Sequence, residues 1–116
     1  PAGSAMVADF ELMGQPFTAL NGGTHFKLTP AVSLQVFCNT QDEIDRYWNL
    51  LGADGDPSAQ VCGWVADKFG LSWQIVPAGI GKWLDAASPA QARRFMQAMM
   101  AMKKLDLATL RDAITT

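Results

Sequence analysis

Side chains that carry chemistry are scarce in this chain. Its 116 residues include one histidine, His25, one tyrosine, Tyr47, and two cysteines, Cys38 and Cys62. Neither cysteine has a second Cys or His at ligand spacing beside it, so the pattern of a zinc site is missing. Charge is thin as well, with 9 Lys and Arg against 11 Asp and Glu and a net charge of −2. No stripe of Lys and Arg exists to neutralise a phosphate backbone, which argues against a nucleic-acid partner. The longest apolar stretch, around Leu71 to Leu84, is interrupted by Gln74, Pro77 and Lys82. It is too short and too broken to cross a bilayer. No secretory or transit leader is read at the start, and the two cysteines read as buried, reduced thiols. The expected compartment is therefore the cytoplasm.

What is present is enough apolar material for a core: 49% of the residues are hydrophobic, in a length that suits one domain. Pro1-Ala2-Gly3-Ser4 is an unusual opening, and a strand follows almost at once. The expectation is a processed N-terminus or a further segment upstream.

Ala5 to Leu12 and Gln15 to Leu20 read as a hairpin around Met13-Gly14, with Pro16 early in the second strand, where a missing amide donor is tolerated. Asn21-Gly22-Gly23 ends it, and Thr24 to Pro30 is a connector. Ala31 to Cys38 reads as a strand whose alternation puts Leu34, Val36 and Cys38 on one face and Ser33, Gln35 and Phe37 on the other. Asn39-Thr40 offers an N-cap, and Asp42 and Glu43 favour the first turn of a helix over about Gln41 to Leu51. Ile44, Tyr47, Trp48 and Leu51 recur at helical spacing. Gln60 to Ala66 and Leu71 to Val76 read as antiparallel strands around Asp67-Lys68-Phe69-Gly70. The region after the helix has room for two short strands or one long bent one. Ser88-Pro89 starts a helix over Ala90 to Lys104 with Phe95, Met99 and Met102 on one stripe, and Asp106 caps a last helix over Leu107 to Ile114.

Four stretches resemble a known family. Phe10-Glu11-Leu12-Met13-Gly14-Gln15-Pro16-Phe17, running on to Ala19-Leu20-Asn21-Gly22-Gly23, is similar to its hairpin. Ser33-Leu34-Gln35-Val36 with Asp42-Glu43 and Asp45-Arg46-Tyr47-Trp48 resembles its strand and helix. Cys62-Gly63-Trp64 with Asp67-Lys68-Phe69-Gly70-Leu71-Ser72-Trp73-Gln74 resembles its closing strands, and Met102-Lys103-Lys104-Leu105-Asp106-Leu107 its tail. The family is the PhnB-like, 3-demethylubiquinone-9 3-methyltransferase-domain branch of the vicinal oxygen chelate (glyoxalase/bleomycin resistance/dioxygenase) superfamily. The resemblance implies an α+β fold of paired βαβββ modules, each a mixed, curved sheet with an outer helix. In that arrangement 1–23 is the end of a first module, 31–77 a complete second module and 88–115 a pair of C-terminal helices. The opening strand and helix of the first module would lie outside this sequence.

In metal-dependent relatives a His near the start of a module's first strand and a Glu on its last strand chelate a divalent ion. The corresponding positions here look like Ser33 and Gln74, and a hydroxyl and a neutral amide are poor replacements. No metal and no cofactor are expected. The family's methyltransferase description finds no strand, glycine-rich turn and helix of the kind that cradles a nucleoside cofactor.

His25 suits acid–base work by its titration range, but no Asp, Glu or Cys is placed beside it, and a surface loop histidine is the plainer reading. Gly79-Ile80-Gly81-Lys82 lacks the length and the Ser or Thr of a phosphate loop and reads as an exit turn. Of the four tryptophans, Trp48 reads as core and Trp64 as the border of a pocket. The candidate ligand-binding face is Ser33, Gln35, Phe37, Trp64, Ser72 and Gln74: amides and hydroxyls beside aromatic rings, suited to a small neutral molecule. The bland alternative is that these polar groups bond one another. Two function classes stay open, a small-molecule-binding module and an enzyme whose catalytic groups lie partly upstream. A homodimer is expected, since paired modules complete such pockets and the Met-rich tail offers an apolar face.

Overall fold

The computed structural model describes residues 3–115. Strands β1 (Val7–Leu12) and β2 (Gln15–Leu20) form a two-stranded antiparallel hairpin. Strand β3 (Ser33–Cys38) leads into helix α1 (Gln41–Gly52), followed by β4 (Trp64–Ala66), β5 (Ser72–Pro77) and helices α2 (Ile80–Ala86), α3 (Pro89–Met100) and α4 (Leu107–Thr115).

The entry into α1 follows from its residues. The Thr40 hydroxyl accepts the Glu43 amide at 3.1 Å, and the Glu43 carboxylate accepts the Asn39 amide at 2.9 Å. Each side chain thus satisfies an amide that the helix start leaves free. Ile44 and Trp48 of α1 pack with Val36 and Cys38 in one core cluster, with Leu34 half-buried against it. The helix therefore covers the face of β3 that alternation predicts.

The second sheet has the order β3-β5-β4, with β3 and β5 parallel and β4 and β5 antiparallel. As the central strand, β5 is covered on both sides: Trp73 and Ile75 enter the α1 cluster, while Val76 enters a second cluster with Phe95, Leu105 and Leu110. Trp83 of α2 packs against both clusters and joins them. Phe95 is fully buried and Met99 packs beside it, so that part of the apolar tail stripe is spent inside the chain; Met96 and Met100 remain exposed.

The structure corrects the sequence reading at three places. The strand expected over Gln60 to Ala66 forms only at Trp64–Ala66, preceded by a 3-10 turn at Pro57–Ala59 and an isolated bridge between Val61 and Trp64. Cys62 and Gly63 take left-handed conformations, φ 51° and 85°. Their amides are claimed by the carbonyls of Met102 and Lys103, both at 2.8 Å, and not by a neighbouring strand. A Cβ at Gly63 would stand 3.1 Å from the Leu105 side chain, so only glycine lets this turn seat against the tail. The sheet accordingly has three strands where the βαβββ pattern calls for four. The exit turn at Gly79 opens the short helix α2. Helix α3 ends at Met100, before the expected Lys104, because residues 101–106 form the connector that receives the Cys62–Gly63 turn.

Candidate functional site

Register decides which side chains share a face. Ser33 pairs with Ser72, Gln35 with Gln74 and Phe37 with Val76 across β3 and β5, while Trp64 pairs with Gln74 and Ala66 with Ser72 across β4 and β5. Paired residues in a sheet point the same way. All six candidates therefore lie on the face turned away from α1.

The structure then divides them. The Gln35 amide donates to the Gln74 side-chain carbonyl at 3.3 Å, and the Gln74 amide donates to the Ser33 hydroxyl at 2.8 Å. This ladder crosses two strands and uses part of each group's capacity, as the bland alternative anticipated. One N–H on each amide, the Gln35 carbonyl and the Ser33 hydroxyl proton are still available to a ligand. Phe37 stands 51% exposed on the edge strand β3, two residues beyond Gln35, and takes no part in the ladder's hydrogen bonds.

Trp64 and Ser72 go elsewhere, into a cavity of about 500 Å³ whose walls also include Pro30, Val61, Cys62 and Met100. Its size is that of small-molecule sites, which run from roughly 300 to 1,000 Å³. The Cys62 thiol sits 3.4 Å from the Met100 sulfur at this wall. Cys62 is half-buried, in contrast to the sealed thiol expected from its apolar surroundings. The Cys-Gly dipeptide was the available signal, since glycine after an apolar run marks a turn. Met100 carried no such signal, because its approach depends on where α3 ends.

Cys38 behaves as the buried thiol that both cysteines were expected to be: it is 1% exposed, and burial, reinforced by the nearby Glu43 charge, raises its pKa. His25 lies in the exposed connector with its ring edge-on to Phe26 at 4.7 Å. Among the described residues no three His, Cys, Asp or Glu side chains cluster as metal ligands would. No described helix is long and apolar enough to cross a membrane.

A mixed sheet with one face under a helix and the other carrying a polar ladder beside an apolar cavity defines an α+β protein. The chain belongs to the 3-demethylubiquinone-9 3-methyltransferase, or PhnB-like, family, whose sequence profile matches residues 1–76. Its fold is also similar to the solved structure of a PhnB protein from Bacillus cereus, which shares the family's description. That similarity has 36% sequence identity and a TM-score of 0.52, over 61% of this chain and 64% of the other. The chain thus spans a little under two thirds of that relative's length. The search of the curated proteins returned no match.

Proposed function

We propose that the chain binds a small neutral molecule on the open face of the β3-β5-β4 sheet, as a member of the vicinal oxygen chelate superfamily without a metal. The observation that carries the reading is the register that gathers Ser33, Gln35, Gln74, Trp64 and Ser72 on one face, with the cavity opening at the last two. Polar groups that orient, set beside an apolar wall that supplies burial, are the usual makeup of a ligand site. The experiment is to replace Gln35 and Gln74 singly by Leu and measure affinity for whichever compound a thermal-shift screen selects. A loss of at least about tenfold is expected, the cost of one unpaired hydrogen-bonding group. Full affinity in both variants would assign the glutamines to structure alone and end the reading.

The family's description favours a second reading, methyl transfer. Against it stands the absence, in this sequence, of a strand leading through a glycine-rich turn into a helix that could hold a nucleoside donor. Calorimetric titration with S-adenosylmethionine separates the two, and micromolar binding would install the enzyme reading.

A homodimer in the cytoplasm completes the proposal. Its support is the hairpin, whose register puts Ala8, Phe10, Leu12, Phe17 and Ala19 on one face, with Gln15 at its end and all but half-buried Phe17 exposed. A two-stranded sheet is marginal by itself, and an apolar face of this kind is stabilised by cover. Light scattering at micromolar concentration should give twice the chain mass; a monomer removes this part of the proposal.

A further inference from the structure

We infer that the cavity beside β4 takes an uncharged, flat and largely apolar ligand that places one hydrogen-bonding atom against the Ser72 hydroxyl. The inference rests on the reading of the sheet face as a ligand site and names the class of molecule.

No Asp, Glu, Lys, Arg or His is among the cavity's lining residues. A charged ligand would give up its hydration there and gain no opposite charge in return. The walls are instead an indole, at Trp64, aliphatic groups, at Pro30 and Val61, and two sulfurs, at Cys62 and Met100. Polarisable sulfur and an aromatic ring favour a flat π-rich partner.

Ser72 supplies the second, independent observation. It is 5% exposed, lines the cavity, and its hydroxyl enters none of the hydrogen bonds of the described residues. It is also not sealed from solvent. No protein group holds this hydroxyl, and a ligand atom seated in the cavity would take the place of the water that reaches it. Its neighbours differ: Ser33, beside it across the β3–β5 register, is already engaged by Gln74. Met100 is 63% exposed at the wall of the cavity, where a flexible thioether adapts to the shape of an incoming ring.

The test compares two fluorescent probes with the same rings, uncharged N-phenyl-naphthylamine and its sulfonated analogue anilinonaphthalene sulfonate, on the intact chain. The uncharged probe should bind saturably, one per chain, and at least about tenfold more tightly than the sulfonate. Met100→Glu, an exposed position, should weaken it by about tenfold or more with the melting temperature held. Ser72→Ala should weaken it by about threefold to tenfold, since the probe's N–H loses its acceptor. Bound probe should also slow alkylation of Cys62 by N-phenylmaleimide, with sealed Cys38 reporting any unfolding. Absence of saturable binding, equal affinity for the sulfonate, or indifference to Met100→Glu overturns the inference. So does exclusion of the probe by a second copy, seen as a dimer that Met100→Glu dissociates. The glutamine variants of the preceding section are read separately: if they alone are silent, the ladder reading fails while the cavity's ligand class stands.

Discussion

The hairpin and the three-stranded sheet are built from similar residues and end up in opposite circumstances. In β5 every position from Ser72 to Pro77 is buried or half-buried, whereas β1 is exposed at all six positions and β2 at all but Phe17. Both regions have strand alternation, and both have an aromatic pair or cluster; Phe10 and Phe17 stack with ring centroids 5.5 Å apart. What separates them is cover. The sheet has α1 over one face and the tail helices against Val76 at the end of the other, while the hairpin pairs only within itself. The shape of the chain records this: its radius of gyration is 16.9 Å, where a compact chain of this length has about 13 Å. Strand formation is thus a local property, but strand stability is conferred by whatever packs on the faces.

The largest expected contrast comes from the same substitution in each region. Phe95→Ala, at a fully buried position of the second cluster, should cost about 4 kcal/mol by cavity formation. Phe10→Ala should cost less than about 1 kcal/mol, the scale of one cross-strand pair. Denaturant unfolding measures both. Equal losses would mean that the hairpin is packed as tightly as the core, and hairpin amides exchanging as slowly as those of β5 would say the same.

Next in size is the turn that holds β4 to β5. One Asp67 carboxylate oxygen accepts the Phe69 and Leu71 amides at 2.9 and 3.0 Å, and the other accepts the Trp73 indole N–H at 2.9 Å. Asp67→Ala should cost about 3 kcal/mol, since it leaves the N–H of a buried ring unpaired. The hairpin turn at Met13-Gly14 has no such clamp, and Met13→Ala should be silent within about 0.5 kcal/mol in the same assay.

A smaller effect is expected at the start of α3. The Ser88 hydroxyl accepts the Gln91 amide at 3.1 Å, and the Gln91 side chain accepts the Ser88 amide at 2.9 Å. Ser88→Ala should cost about 1 kcal/mol, readable as a lowered midpoint with an unchanged denaturant slope.

The smallest effect is electrostatic. A hydrogen bond from Gln41, together with Lys104 at 2.9 Å, holds the Asp45 carboxyl below its ordinary range. A depressed folded-state pKa means that the contribution is present above the unfolded carboxylate's titration and fades as pH falls through the folded value. Lys104→Ala should raise the Asp45 pKa only part of the way to normal, because Gln41 remains. Proton-detected titration of the Asp45 side chain checks this, and a full return to normal would show that the exposed ion pair is the whole cause.

Much of the fold from β3 onward was legible in the chain itself. Alternation over Ser33–Cys38 assigned the two faces of β3, helical spacing placed Ile44 and Trp48 against one of them, and Thr40 and Ser88 announced helix starts that the structure shows as caps. The ladder was legible as a set of residues on one face, since a period of two depends only on neighbours in sequence. Their bonding to one another was legible only as an alternative, because the partners are 39 and 41 residues apart.

What short-range patterns determined, then, is which residues form strands and helices and which side each one turns toward the core. The tertiary structure alone decided the rest. Cys62 and Gly63 leave the expected strand because carbonyls about forty residues later take their amides, an outcome that no local propensity encodes. Gln41 ties the first helix to the tail, donating to the Leu105 carbonyl at 3.0 Å and accepting the Leu107 amide at 2.7 Å. The cavity exists for the same reason. Pro30, the Val61–Trp64 turn, Ser72 and Met100 are scattered along the chain, and only the packing of the tail against the sheet brings their side chains around one space.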